Sequence, residues 1–287
     1  MLARRSILSI PALQFLLGQT QKLEMFGDAE AYDRFMGRWS RLMAPLLVDF
    51  TGVPDTGRVL DVGSGTGSLA FAIGDRKPAS HVVGIDPSKE YVASANRKNP
   101  LPARISFQVG DAQKLPFPDA SFQACLSLLV FNFIPDPAKA LRELRRVTKP
   151  GGTISAATWD YGDGMRMLRV FWDAAASLDS SAERLDERHM PLCHAGDLSQ
   201  LWKQGGLEEV DERPLDITMR FTSFADYWDA FLLGQGPAGA YVRSLNRDQL
   251  QQLRGEVKRR LPQSEGEGPF VLPARAWSVR GTVPTRA

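Results

Sequence analysis

Three short stretches of this sequence carry glycines or carboxylates at spacings that suit a nucleotide-like ligand. The first is Val59-Leu60-Asp61-Val62-Gly63-Ser64-Gly65-Thr66-Gly67, with glycine at alternate positions after the acid. Such a loop turns tightly and lets backbone approach a ligand without Cβ clashes. A helix that follows it points its first N–H groups at a carboxylate or other anion. The second stretch, Val82-Val83-Gly84-Ile85-Asp86, ends in a carboxylate able to accept from both hydroxyls of a ribose. Charge-assisted bonds of that kind contribute about 1.5–3 kcal/mol each. Pro87 and Ser88 follow, so Asp86 also suits the start of a helix. The third stretch is Gln108-Val109-Gly110-Asp111-Ala112. There Asp111 can accept from an exocyclic adenine amine, and the Ala112 N–H can donate to a ring nitrogen. The plainer alternative is a turn acid ahead of Leu115-Pro116.

The elements that must position these residues follow from the spacing. Asp61, Asp86 and Asp111 recur at 25-residue steps. Steps of that length fit two successive strand–helix–strand crossovers. Apolar runs predict strands over 58–62, 81–86, 105–110, 124–129 and 153–159. Three- and four-residue periodicity predicts helices over 67–72, 89–99 and 136–147. Alternation of this kind implies a parallel sheet with helices on both faces. Ligands then bind outside the carboxyl ends of the strands, where the strand order reverses. Ahead of this unit, Tyr32, Phe35, Trp39, Leu42, Met43 and Leu46 predict a helix over 29–50. Beyond it, helices are expected over 165–178 and 195–204. Strands are expected over 207–221 and 270–283, the last one antiparallel. The fold class is therefore α/β: a doubly wound, mostly parallel seven-stranded Rossmann-like sheet. Its domain is expected over 29–221 with the last strand and tail at 269–287. Helical patterns at 224–233 and 247–261, split by Gly234-Gln235-Gly236-Pro237, read as a lid inserted over 222–268. Residues 1–28 read as a leader, disordered or loosely docked, and Met25 also suits a chain start.

Composition excludes several classes. Lys and Arg number 35 against 33 Asp and Glu, a net charge of +2. A binder of phosphate backbones usually shows a strong basic bias, so nucleic acid is not the expected partner. No apolar run is long enough to span a bilayer; Pro11 and Gln14 interrupt the longest one near the start. The two cysteines, Cys125 and Cys193, form no metal-binding spacing, and no metal is expected. A cytoplasmic monomer or homodimer is expected.

Taken in order, these blocks resemble a known family. The glycine loop, Asp86, Gly110-Asp111-Ala112, Leu115-Pro116-Phe117, Asp119-Ala120-Ser121-Phe122, Arg142-Glu143-Leu144-Arg145-Arg146-Val147 and Lys149-Pro150-Gly151-Gly152 look like those of class I S-adenosylmethionine-dependent methyltransferases. The subgroup they are most similar to acts on small molecules, as in quinone biosynthesis. The resemblance covers residues 58–160. Arg34-Phe35-Met36-Gly37-Arg38-Trp39 resembles the helix that closes over the cofactor in related bacterial enzymes.

The resemblance implies S-adenosylmethionine as cofactor and a site for it. Asp61, Gly63, Ser64, Gly65 and Gly67 would surround the methionine portion. Asp86, with Pro87 beside it, would hold the ribose, and Asp111 and Ala112 the adenine. Ser127 and Leu128 would back the sulfonium, and Tyr32 and Trp39 would close the site from the N-terminal helix. Many relatives carry Cys at the position of Ser64, a small and similarly polar exchange. No catalytic residue is assigned, because the sulfonium is already an activated methyl donor. Were a base required, Asp160, Tyr161, His189 and His194 are the candidates. Trp39, Phe131, Trp159, Trp172 and Trp228 suit an apolar acceptor wall or ordinary core. Two other readings are weighed. A nicotinamide-dependent oxidoreductase would need glycine where Ser68 stands, and a Tyr-x-x-x-Lys pair is absent. A protein that binds S-adenosylmethionine without turnover has the same donor motifs. A nucleic-acid methyltransferase would carry an Asn/Asp-Pro-Pro-Tyr/Phe motif where this chain has Leu129-Val130-Phe131-Asn132-Phe133.

Overall fold

The computed structural model describes residues 28–261 and 268–285. Apart from Asp28, the leader expected over 1–28 lies outside the described residues. Seven strands form one sheet in the order β3-β2-β1-β4-β5-β7-β6. They are β1 (Thr56–Val62), β2 (Ala79–Asp86), β3 (Ile105–Val109), β4 (Phe122–Leu128), β5 (Thr148–Trp159), β6 (Glu208–Phe221) and β7 (Phe270–Thr282). The first five pair in parallel, while β7 runs antiparallel to both β5 and β6. The Rossmann-like sheet read from the sequence is therefore present, with its last strand reversed. Strand order turns back between β1 and β4, so their carboxyl ends frame a cleft.

Two apolar cores lie on the two faces of this sheet. From Ala124 on, alternate residues of β4 show the division: Ala124, Leu126 and Leu128 enter one core and Cys125 the other, while Phe122 lies beyond a register shift. The period-two alternation of a strand requires this split. Three helices pack on the first face: α2 (Arg38–Thr51), α3 (Ser68–Arg76) and α4 (Lys89–Lys98). The second face is covered by α5 (Pro137–Val147) and α7 (Asp197–Gln204), whose Leu141, Leu144, Leu198 and Trp202 are buried. Between these two in the chain, α6 (Arg166–Leu178) packs with the first core.

Helical structure before β1 is continuous but irregular. A short α1 (Ala29–Tyr32) passes through a π-helical turn (Asp33–Gly37) into α2. Asp28 caps α1, accepting from the Glu30 and Ala31 N–H groups at 2.9 Å each. Between β6 and β7 stand three helices, α8 (Phe224–Leu232), α9 (Gly236–Ser244) and α10 (Arg247–Arg260). The sequence signals only the outer two. Gly236 and Pro237 read as a break, yet Pro237 sits in the first turn of α9, where a missing N–H costs nothing. Among the described residues no helix is long and apolar enough to cross a membrane.

Candidate functional site

The glycine loop leaves β1 at its carboxyl end and is pinned to β2. Gly63 and Ser64 both donate their N–H to the Ile85 carbonyl, at 2.8 and 3.0 Å. Gly63 has φ +71, and a Cβ there would lie 2.5 Å from the Val130 side chain. Glycine is thus required at 63 by backbone and by space. From the end of β2, Asp86 props the next part of the loop. One of its oxygens accepts from the Gly65 N–H at 2.9 Å and the other from the Ser88 N–H at 2.8 Å. Burial raises the Asp86 pKa above the usual carboxylate range, and these two N–H groups pull the other way.

Asp61 lies one step deeper. It is fully buried, and one oxygen accepts from the Ala70 N–H at 3.0 Å, tying β1 to the first turn of α3. Its other oxygen, Oδ1, finds no hydrogen-bond partner among the described residues. Burial pushes its pKa up to about 8; the Ala70 N–H opposes this, and the charge of Asp86 adds to it. The nearby Ser64 hydroxyl is likewise buried without a partner among the described residues. A buried polar atom left without a partner is costly.

Tyr32, Ser40, Asp61, Gly63, Ser64, Gly65 and Leu128 line one cavity, together with Thr66, Ser68 and Leu69. Its volume is about 20 Å³. Sites for nucleoside-sized ligands run to roughly 300 Å³ and above, so the walls stand closed in this conformation. The N-terminal helical segment contributes Tyr32 and Ser40 to these walls and is held by polar bonds as well as by its buried apolar face. The Thr66 hydroxyl donates to Asp33 at 2.6 Å, and Lys98 donates to the other Asp33 oxygen. The Ala29 N–H donates to Glu90 at 3.1 Å. The Tyr32 ring lies 5.3 Å from that of Tyr91, and its hydroxyl meets Ser40 at 3.5 Å. A larger hollow of about 370 Å³, lined by Arg58, His81 and Arg104, lies at the amino ends of β2 and β3. It is at the wrong end of the sheet for strand-end chemistry.

The structure thus brings together Tyr32, Asp61, Gly63, Ser64, Gly65 and Leu128, with Asp86 behind the loop. Other residues named from the sequence stand apart from the cavity. The Ser127 hydroxyl donates to the Val62 carbonyl at 2.8 Å and fastens β4 to β1. Gly67 has φ +98, and a Cβ there would strike Phe71. Trp39 packs on Phe221 and under the Arg38 guanidinium. Pro87 and Asp111 are exposed, and Ala112 is half-buried. Asp111 accepts from the Gln113 N–H at 2.8 Å, the turn-acid arrangement. Asp160 is buried and accepts from the Asp163 N–H at 3.2 Å. Tyr161 is buried at the end of β5, whereas His189 and His194 are exposed. Trp159, Trp172 and Trp228 are core residues, and Phe131 packs on Trp202 in the opposite core. Ser40, Thr66 and Asp33 were not legible as site residues. They are small or polar residues whose place depends on how the N-terminal helix docks.

Part of the chain is similar to known proteins. Residues 60–156 match the family model described as a methyltransferase domain. Over that stretch this chain is similar to methyltransferase domains. A ubiquinone/menaquinone biosynthesis C-methyltransferase of Geotalea uraniireducens is 40% identical over 100 residues, covering 33% of this chain and 43% of that protein. A 2-methyl-6-phytyl-1,4-hydroquinone methyltransferase of Synechocystis is 32% identical over 148 residues, covering 47% of this chain and 46% of that protein. The chain spans less than half the length of these two relatives. A Haemonchus contortus phosphoethanolamine N-methyltransferase 2, solved with S-adenosylhomocysteine, shares the fold with a TM-score of 0.55 at 19% identity. That alignment covers 89% of this chain and 57% of the other. The matched methyltransferase domain contains the loop, Asp86, Asp111 and Leu128. It ends before Tyr161 and the segment that follows.

Proposed function

We propose that this chain transfers a methyl group from S-adenosylmethionine to a small-molecule acceptor and releases S-adenosylhomocysteine. The observation that carries the reading is Asp61, a buried carboxylate with one free oxygen on the wall of the strand-end cavity. An amino-acid ammonium group satisfies such an oxygen by both charge and hydrogen bonding. Asp61, Gly63, Ser64 and Gly65 would hold the methionine portion. Asp86 would take the ribose hydroxyls while still propping the loop, since each carboxylate oxygen has two acceptor sites. Asp111 and Ala112 would meet the adenine at the outer rim, and Leu128 would back the sulfonium. When bound, the donor supplies an activated methyl group, so the protein has to align the acceptor and exclude water.

The named activities of the relatives support a hydroquinone-like acceptor. The near-neutral charge supports a small molecule over nucleic acid. The two buried free cysteines suit work in the cytoplasm. The test is transfer of labelled methyl from S-adenosylmethionine to 1,4-naphthohydroquinone by the full chain. Labelled product and stoichiometric S-adenosylhomocysteine are expected. Tight donor binding with no transfer to hydroquinones, phenols or amines would favour a binding protein without turnover.

A further inference from the structure

The hollow at the amino ends of β2 and β3 lies where one face of the sheet is bare. Arg58 of β1 pairs in register with His81 of β2, and Arg104 immediately precedes Ile105, the partner of Val82. The Val82 N–H donates to the Arg104 carbonyl at 2.8 Å. Arg58, His81 and Arg104 therefore stand in one row across three neighbouring strands, about 4.8 Å from strand to strand. Side chains alternate along a strand, so Arg58 and His81 share a face with Leu60 and Ile85 of the second core. The helices of that face lie farther along the sheet, α5 on β5 and α7 on β6 and β7. The connection from β3 to β4, residues 110–121, contains no helix, and Arg58, His81 and Ser106 are exposed.

The wall of the hollow is basic. Arg58, His81 and Arg104 line it with Ser106 and the apolar Val83 and Pro102, and among the described residues no carboxylate does. Both guanidinium groups are held by neutral partners. That of Arg58 sits 4.8 Å from the centroid of the Phe122 ring. That of Arg104 donates twice to the Gly74 carbonyl, at 3.2 Å each. These contacts fix the two cations without cancelling their charge, since neither arginine has an ion-pair partner among the described residues. Like charges on one wall repel, and an anion between them relieves the repulsion. A volume of about 370 Å³ is in the range that small ligands occupy.

We propose that this hollow binds a phosphate group carried on a small organic molecule, at a second site separate from the donor cavity. Phosphate suits a pair of guanidinium groups, because its oxygens accept two parallel N–H bonds from each fork. The His81 ring and the Ser106 hydroxyl add donors on the same wall. Val83 and Pro102 give apolar surface to the group that carries the phosphate. The ligand is not the methyl acceptor, because the hollow opens at the end of the sheet opposite the glycine loop. The assignment stands apart from the donor reading, since none of the residues that line this hollow lines the donor cavity.

The test uses the full chain, with ribose 5-phosphate, inorganic phosphate and ribose as probes at low ionic strength. The chain has three histidines, His81, His189 and His194, so their ring signals in NMR localise binding. His81→Gln identifies the signal from the hollow. Ribose 5-phosphate should shift the His81 signal saturably and leave the other two in place. Ribose should shift none, and inorganic phosphate should bind more weakly at the same signal. Arg58→Gln should weaken ribose 5-phosphate binding by about tenfold, as should Arg104→Gln. Arg247→Gln removes the same charge from an exposed position on α10 and should change nothing. Added salt should weaken binding in wild type. The site is overturned by a His81 signal that no probe shifts, by equal shifts of all three histidines, or by equal weakening in Arg58→Gln and Arg247→Gln. Inorganic phosphate binding as tightly as ribose 5-phosphate overturns the organic carrier. Binding of S-adenosylhomocysteine, measured separately, bears on the donor reading alone.

Discussion

At the scale of single residues, the account turns on Asp61. Its carboxyl holds a proton in the free fold to about pH 8. An unfolded chain releases that proton near pH 4. Between those values the folded state binds more protons, so stability falls as pH rises, by at most about 1.4 kcal/mol per pH unit from this group. Asp61→Asn should therefore flatten the decline between about pH 4 and 8 in urea unfolding series. A cationic ligand beside Asp61 favours the ionised form. Binding of S-adenosylmethionine below pH 8 should thus release a proton, and its apparent heat should vary with the ionisation enthalpy of the buffer. Identical heats in all buffers would show that Asp61 does not change state. Asp86 carries a second load, because it props Gly65 and Ser88. Asp86→Ala should weaken S-adenosylhomocysteine binding by roughly 2–4 kcal/mol in calorimetry, through lost charge-assisted bonds. These acids are legible in the sequence because each must follow an apolar strand and precede a turn. Asp33 is not, because its place beside Thr66 depends on how the N-terminal helix docks.

At the scale of elements, the N-terminal helical segment supplies Tyr32 and Ser40 to the wall of the proposed donor cavity. Its π-helical turn aims Asp33 at Thr66 of the glycine loop and at Lys98 of α4. Asp33→Ala should leave stability within about 1 kcal/mol, since Lys98 is partly exposed. It should speed dissociation of S-adenosylhomocysteine in stopped-flow fluorescence. An unchanged off-rate would mean that this contact does not latch the helix. The segment at 179–196 is fixed differently, through the buried Arg169–Asp186 pair. Arg169→Met should cost about 3 kcal/mol in urea unfolding, because Asp186 keeps only Arg188. Adding Asp186→Leu should restore part of that loss. The parallel strands and the helices between them were legible because burial on both faces forces long apolar runs and clean periodicity. The helix at Gly236–Ser244 was not, because its glycine and proline suit a turn equally well until neighbours pack on it. The π-helical turn was hidden too, since apolar spacing over 29–50 looks continuous.

At the scale of the whole molecule, the proposed donor site is confined to the stretch similar to a methyltransferase domain. That stretch, 60–156, carries the glycine loop, Asp86 and Leu128 at the ends of β1, β2 and β4. The residues after 160, which would shape an acceptor pocket, lie outside that match. This division explains why the donor is readable from local motifs and the acceptor is not. Donor recognition needs backbone geometry that only certain residues allow. Acceptor recognition, on this proposal, would be assembled from residues distant in the chain, which converge only on folding. The most direct test of the central claim is calorimetric titration of the full wild-type chain with S-adenosylhomocysteine at neutral pH. The account predicts saturable binding at one site, weakened at least about tenfold by Asp61→Asn. No binding heat at millimolar ligand, or equal affinity in the Asp61→Asn variant, would contradict it.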